Sequence, residues 1–249
     1  MLTPAPMNAT NSNSDFSGLG CRWVVFDAVG TLIDPFPSVS VVYHDIGSRF
    51  GSRITTDEVG RRFRMAFRAS ETSGFPNEPQ HGSMISSDAI EEARWRWIVA
   101  EVFPDIENRE GCFRALWDHF ASPSSWRCFD DVSDSLRRLT SAGYQLAIAS
   151  NFDRRLHQVC DASPELRPIE KRIVSAEVGY RKPAPEFYQS LLEACACRPH
   201  EILMIGDNYE HDVQGPVAAG LRALHLERRQ APSHPAQLQT LLELVDRLV

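Results

Sequence analysis

Hydrophobic residues fall along this chain in short unbroken runs, separated by longer amphipathic stretches. The runs are Trp23-Val24-Val25-Phe26, Leu146-Ala147-Ile148-Ala149, a weaker Ile173-Val174, and Ile202-Leu203-Met204-Ile205. Leu221 to Leu226 adds a fifth. Runs this short and continuously apolar predict strands buried on both faces of a parallel sheet. Turn chemistry follows them: Asp27, Ser150, Gly179 and Gly206-Asp207. The stretches between them read as helices. Val132 to Ala142 carries Val132, Leu136 and Leu139 at helical spacing, and Gly143 closes it. Pro185 to Ala196 and His211 to Ala219 behave likewise, the latter capped by Gly220. This alternation predicts an α/β fold: a Rossmann-like, doubly wound parallel sheet with right-handed crossovers.

The alternation breaks between Pro35 and Phe129. This stretch holds no convincing buried strand and reads as helices over roughly Val39 to Phe50, Thr56 to Glu71, Ser87 to Phe103 and Arg109 to Phe120. The expected organisation is a core of residues 21–34 and 130–249, with a helical cap of residues 35–129 inserted after the first strand and lying over the carboxyl edge of the sheet. Trp95, Trp97, Trp117 and Trp126 are expected to pack the cap's own interior rather than face a ligand. Residues 1–20 are polar and uncharged apart from Asp15, and read as a disordered leader with no signal-peptide pattern.

Composition narrows the function. The 249 residues are 43% hydrophobic and 24% charged, ordinary for a globular chain. A net charge of -7 offers no basic field for nucleic acid. No apolar run is long enough to span a membrane. The six cysteines are scattered without metal-ligand spacing, which points to neither zinc nor a disulfide framework, and so to a reduced, cytoplasmic protein. Only Lys171 and Lys182 are lysines among the 26 basic residues.

The polar residues of interest sit where strands end, the edge at which open α/β sheets bind ligands. They are Asp27, Ser150 with Asn151, Lys182, and Asp207 with Asp212. Each alone reads as a helix cap, a turn residue or a solvated loop residue. Together and in this order they are far more specific. Phe26-Asp27-Ala28-Val29-Gly30-Thr31-Leu32 resembles the first motif of the haloacid dehalogenase superfamily, an aspartate, a second aspartate two residues on, and a threonine. Ala149-Ser150-Asn151 resembles the second motif, Arg181-Lys182-Pro183 the third, and Gly206-Asp207-Asn208 with Asp212 the fourth. The resemblance runs from Trp23 to about Leu226. The segment Ser150 to Leu156, taken with Trp117 to Ala121 and Trp126, is similar to one narrower branch of the superfamily.

The resemblance implies a hydrolase acting on a small, phosphorylated substrate through an aspartyl-phosphate intermediate on Asp27. It implies Mg²⁺, a hard cation preferring oxygen ligands, held by Asp27, Asp207, Asp212 and the backbone carbonyl of Val29. Lys182 would neutralise charge, Ser150 and Asn151 would serve the phosphoryl group and its surroundings, Thr31 would hold the loop, and Asp212 would orient Asn208, metal waters or Lys182.

One residue departs from the pattern. Val29 stands where family phosphatases carry the aspartate that protonates the leaving oxygen and later activates water, a contribution of typically about 10²–10⁴-fold. Three enzymatic readings follow. A hydrolase could draw its protons from the cap, with Asp34, His44, His81 and Glu91 as candidates that otherwise read as surface residues, or could act on good leaving groups. A 2-haloacid dehalogenase also lacks the second aspartate, but carries tyrosine there and does not keep the metal aspartate, whereas Gly206-Asp207 is intact. A phosphonatase needs a cap lysine, and none lies between Pro35 and Phe129. A domain that only binds a phosphorylated ligand or a protein partner is the non-enzymatic alternative. The order of fit is Mg²⁺-dependent hydrolase, binding domain, dehalogenase.

Overall fold

The computed structural model describes residues 20–72, 74–76 and 84–249; the leader expected before Gly20, and His81, lie outside them. The core holds six parallel strands. In chain order these elements are β1 (Trp23–Phe26), β2 (Ile33–Pro35), α1 (Val39–Arg49), α2 (Thr56–Thr72), α3 (Asp88–Val102), α4 (Arg109–Ala121) and β3 (Trp126–Cys128). There follow α5 (Val132–Ser141), β4 (Gln145–Ser150), α6 (Arg155–Ala162), β5 (Lys171–Val174), α7 (Ser175–Val178), α8 (Pro185–Cys195) and β6 (Ile202–Gly206). A π-helical turn at Glu210–Gln214 leads to α9 (Gly215–Ala218), β7 (Arg222–Leu226), β8 (Gln237–Leu238) and α10 (Leu241–Leu248). Strand order in the sheet is β5-β4-β1-β6-β7-β8, all pairs parallel.

The apolar runs of the sequence are buried on both faces because the pleat sends alternate residues to opposite sides. Val24, Phe26, Leu146, Ile148, Leu203 and Ile205 join one core with Leu136, Leu156 and Leu244 from α5, α6 and α10. Trp23, Val25, Ala147, Ala149, Ile202 and Met204 join the other with Phe187 and Leu191 from α8. The chain passes from β5 at one edge to β6 on the far side of β1, so the ends of β4, β1 and β6 lie side by side. Phe26 is in register with both Ile148 and Ile205. That reversal of winding opens the crevice where such sheets take ligands.

Helices α1 to α4 pack around a core of their own that includes Val42, Tyr43, Ile98, Val99 and Phe113. Two short strands, β2 and β3, pair antiparallel where this insertion begins and returns, with Asp34 opposite Arg127. The sequence reading has no strand there, since three-residue strands carrying a proline give no periodic signal. The expected helix His211 to Ala219 is also corrected. Its first half is the π-helical turn and only its last turn is α-helical; Asn208 Oδ1 caps the start by accepting from the Glu210 and His211 N–H groups at 3.1 and 3.0 Å, and Pro216 has no N–H with which to continue one α-helical ladder.

Charged contacts join insertion to core. Arg155 stacks on the Trp117 ring with its guanidinium carbon 3.4 Å from the centroid, donates to the Trp117 carbonyl at 3.1 Å, and is gripped by Asp153 at 2.6 and 2.7 Å. The Arg154 N–H donates to Asp88 on α3 at 3.1 Å. Within the core, Arg228 donates to both oxygens of Asp131 at 2.9 and 3.0 Å and to the Thr31 carbonyl at 2.7 Å, pinning the loop after β1. Replacing Arg228 by Met would leave the mostly buried Asp131 carboxylate without its cation, held by the Leu241 N–H at 2.8 Å. Urea denaturation of Arg228→Met is expected to show a loss of about 3 kcal/mol, the lower end of the range for breaking a buried pair. A loss below about 1 kcal/mol would remove Arg228 from the structural framework.

Candidate active site

Asp27 leaves β1 with its N–H donating to the Ile205 carbonyl at 2.8 Å, so its position is fixed by the neighbouring strand. The chain then doubles back. Leu32 and Ile33 N–H groups donate to the Ala28 carbonyl at 2.8 and 3.0 Å, and the Gly30 N–H to the Ile33 carbonyl at 2.8 Å. Gly30 has φ +84°, and a Cβ there would fall 2.4 Å from Asp207 Oδ2. Only glycine lets the loop after β1 approach Asp207 so closely.

Lys182 is 2% exposed and is the hub of the site. Its Nζ donates to Asp27 Oδ1 at 2.8 Å, Asp212 Oδ1 at 2.6 Å and the Ala149 carbonyl at 2.8 Å, so all three ammonium protons have acceptors. Asn151 holds the lysine's backbone from both sides, accepting from its N–H at 2.7 Å and donating to its carbonyl at 2.9 Å. Asp212 Oδ2 accepts from the Asn208 N–H at 3.1 Å. A Cβ on Gly206 would sit 2.1 Å from that same oxygen, so glycine at the end of β6 is required for Asp212 to enter.

Burial works against the Lys182 ammonium, but the Asp212 and Asp27 carboxylates outweigh it and raise its pKa. Crowding by protein, then the Asp27 and Asp212 charges, push the Asp207 carboxyl upward, even though the residue faces open solvent on the cleft side. Burial likewise raises Asp212. His211 is pushed down to about 4, chiefly by burial and then by Lys182, so it is neutral at physiological pH.

Asp27, Asp207 and Asp212 can each present an oxygen within 4.8 Å of the others. Three carboxylates against the one Lys182 ammonium leave two negative charges in the cluster, and all the donors are hard oxygens. This set fits a divalent cation of the Mg²⁺ kind. Asp27 and Asp207 are the side chains best placed to hold it, because both Asp212 oxygens already accept hydrogen bonds.

Asp27, Val29, Ser150, Asn151, Lys182, Asp207 and Asp212 all line one cavity of about 360 Å³ between the sheet's carboxyl edge and the helical insertion. Thr31 does not line it. Its side chain is fully buried and its hydroxyl has no hydrogen-bond partner, and the loop is held through its backbone carbonyl instead. The expectation of surface positions for the insertion's acids is corrected at Glu91, which is buried and accepts from Ser86 and Arg94. Asp34 is exposed as expected, with desolvation by its neighbours raising its pKa; both line the cavity. His44 sits on α1 beside Asp45, away from the cavity. Trp95, Trp97 and Trp117 pack on the insertion's core as expected, whereas Trp126 packs on the core beneath the sheet; Trp95, Trp117 and Trp126 also line the cavity. Arg94, Glu71 and His211 line it too and carried no sequence signal, being spread across separate helices and a turn.

The raised carboxyls give a linkage prediction. Their folded pKa values lie above the unfolded ones, so the native state holds protons more tightly and the cation-free protein loses stability as pH rises from the ordinary carboxylate range toward neutrality. Its melting temperature should fall between about pH 5 and about pH 7.5. Asp207→Asn should flatten that profile, and a profile already flat in the wild type would contradict the crowding described.

A profile of the haloacid dehalogenase-like hydrolases matches residues 21–220. Haloacid dehalogenase-like hydrolase domain-containing protein 3 of Danio rerio is 26% identical over 240 residues, covering 91% of this chain and 96% of its own. Phosphoglycolate phosphatase of Mesorhizobium japonicum is 22% identical over 219 residues, 87% of each chain. Among solved structures, the defluorinating L-2-haloacid dehalogenase Rha0230 superposes with a TM-score of 0.73 at 17% identity, over 92% of this chain and 95% of its own. Magnesium-bound YfnB of Bacillus subtilis does so with a TM-score of 0.71 at 18% identity, over 92% and 98%. With a matching profile over most of its length and a parallel sheet that brings the four motifs to one crevice, the chain belongs to the haloacid dehalogenase-like hydrolases.

Proposed function

We propose that this protein is a Mg²⁺-dependent phosphatase acting on a small phosphorylated compound through Asp27, with residues 35–129 as the cap over the site. The observation that carries the reading is the buried Lys182 ammonium shared by Asp27 and Asp212 beside an uncompensated Asp207. A phosphate ester is strongly anionic, so a carboxylate nucleophile can approach it only where cations cancel charge. Asp27 and Asp207 would hold Mg²⁺, which supplies positive charge to the phosphoryl oxygens when bound.

Lys182 fixes one Asp27 oxygen, leaving the other to attack phosphorus. The bond from phosphorus to the leaving oxygen breaks as the new bond forms, giving an aspartyl phosphate. Water then attacks that phosphorus, releasing phosphate and restoring Asp27. Ser150, at the end of β4, would donate to a phosphoryl oxygen. Asn151 and Asp212 act through Lys182, one holding its backbone and the other its ammonium. Val29 supplies no proton to the leaving group, so leaving groups that depart unprotonated are favoured. The retained Asp207 favours this reading over carbon–halogen hydrolysis, whose halide needs neither a proton nor a cation at the phosphoryl oxygens. The six unpaired cysteines fit a reducing, cytoplasmic setting.

Asp27→Asn is expected to abolish turnover of any phosphorylated substrate, because an amide is a poor nucleophile; undiminished steady-state activity would place the chemistry elsewhere. Calorimetry should show Mg²⁺ binding to the wild type that disappears in Asp207→Ala, and equal binding in the variant would sink the metal assignment. Acyl and aryl phosphates should turn over measurably and sugar phosphates very slowly. Val29→Asp should accelerate alkyl phosphates more than aryl ones, by up to about 10²–10⁴-fold. If a folded, Mg²⁺-loaded Val29→Asp protein hydrolyses nothing across a broad panel, the chain is a phospholigand- or protein-binding domain instead.

A further inference from the structure

The wall that the insertion gives to the cavity is aromatic. Phe63, Phe67 and Trp95 form one group with ring centroids 5.9 to 6.3 Å apart. Phe120 and Trp126 form another at 6.0 Å. All five line the same space as Asp27 and Lys182. Set into this wall is a guanidinium. Arg94 is 5% exposed and lies over the Phe67 ring, 4.9 Å from its centroid. Its Nε donates to Ser70 Oγ at 2.9 Å and its Nη1 reaches Glu91 Oε2 at 3.4 Å. Its Nη2 is buried without a hydrogen-bond partner, the Glu71 carboxylate standing 3.7 Å away. Two carboxylates, Glu91 and Glu71, already more than offset the charge of Arg94. What Nη2 lacks is an acceptor, and a buried donor without one is costly.

We propose that the substrate is an aromatic phosphomonoester whose ring carries an acceptor oxygen, the ring lying against the aromatic wall and the oxygen accepting from Arg94 Nη2. The proposal rests on the phosphatase reading and deepens it. Val29 leads to the same leaving group independently, since a phenolate departs without the proton that Val29 cannot give. A sugar would set several hydroxyls against the rings of this wall, where few acceptors or donors stand. A cavity of about 360 Å³ stands at the small end of ligand pockets and suits one substituted ring.

Titration calorimetry in the presence of Mg²⁺ tests it, using inorganic phosphate, butylphosphonate, benzylphosphonate and the ortho, meta and para acetylbenzylphosphonates as probes. Benzylphosphonate is expected to bind tighter than butylphosphonate. At least one acetyl isomer should bind about tenfold tighter again, the gain expected of a hydrogen bond to a charged donor. In Arg94→Lys, which keeps the charge but has one nitrogen where the guanidinium has three, the difference between acetylated and plain rings should collapse. Should that variant fail to fold by circular dichroism, the wild-type comparison of probes decides alone. If phosphate and butylphosphonate bind as well as every aromatic probe, the proposal is overturned and the phosphatase reading stands. If no probe binds, phosphate included, the phosphatase reading itself falls. Aromatic gain without any acetyl gain overturns the role of Arg94 and with it the proposal.

Discussion

Everything in the site turns on one buried ammonium. Removing a lysine from water is costly unless each proton finds an acceptor and the charge finds a partner. Lys182 meets that demand only by drawing together the end of β1 through Asp27, the end of β4 through the Ala149 carbonyl, and the segment after β6 through Asp212. The contacts that fix it are therefore the contacts that assemble the crevice. The glycines follow from the same constraint: Gly206 clears the path by which Asp212 enters, and Gly30 lets the loop after β1 come up against Asp207. Charge balance follows too, since one lysine among three aspartates leaves the cluster short of positive charge.

The core was legible because its strands are buried on both faces, and nothing but an unbroken apolar run serves such a position. β1, β4 and β6 lie within a residue or two of where those runs stand. The residues at their ends were legible for a related reason: turns after buried strands are where a polar residue can project into a crevice. The short elements were not. β2 and β3 owe their pairing to each other and to the insertion between them, so neither carries a pattern of its own. α10 was readable in principle, with Leu241, Leu244, Val245 and Leu248 on one face and Thr240 as a cap, but two turns give a weak period.

The cavity's far wall was the least legible part. Arg94, Glu91 and Glu71 gain meaning only when α2 and α3 are packed side by side, since a single charged residue on an amphipathic helix reads as solvated. Aromatic residues behave in the same way. The spacing that sends Phe63, Phe67 and Trp95 inward cannot say whether inward means a packed core or an open chamber. Local pattern determines which face of a helix is apolar; the volume left between helices is a property of the whole assembly.

The β2–β3 ribbon has a further consequence. Asp34 lies opposite Arg127, so the chain leaves the core and returns to it at one spot, with some ninety residues lying between. Whatever occupies that interval makes no topological demand on the sheet beyond two adjacent attachment points. The insertion can thus be lengthened, shortened or exchanged in evolution while the carboxyl edge of the sheet stays untouched, and the two walls of the cavity are inherited as separable modules of one polypeptide.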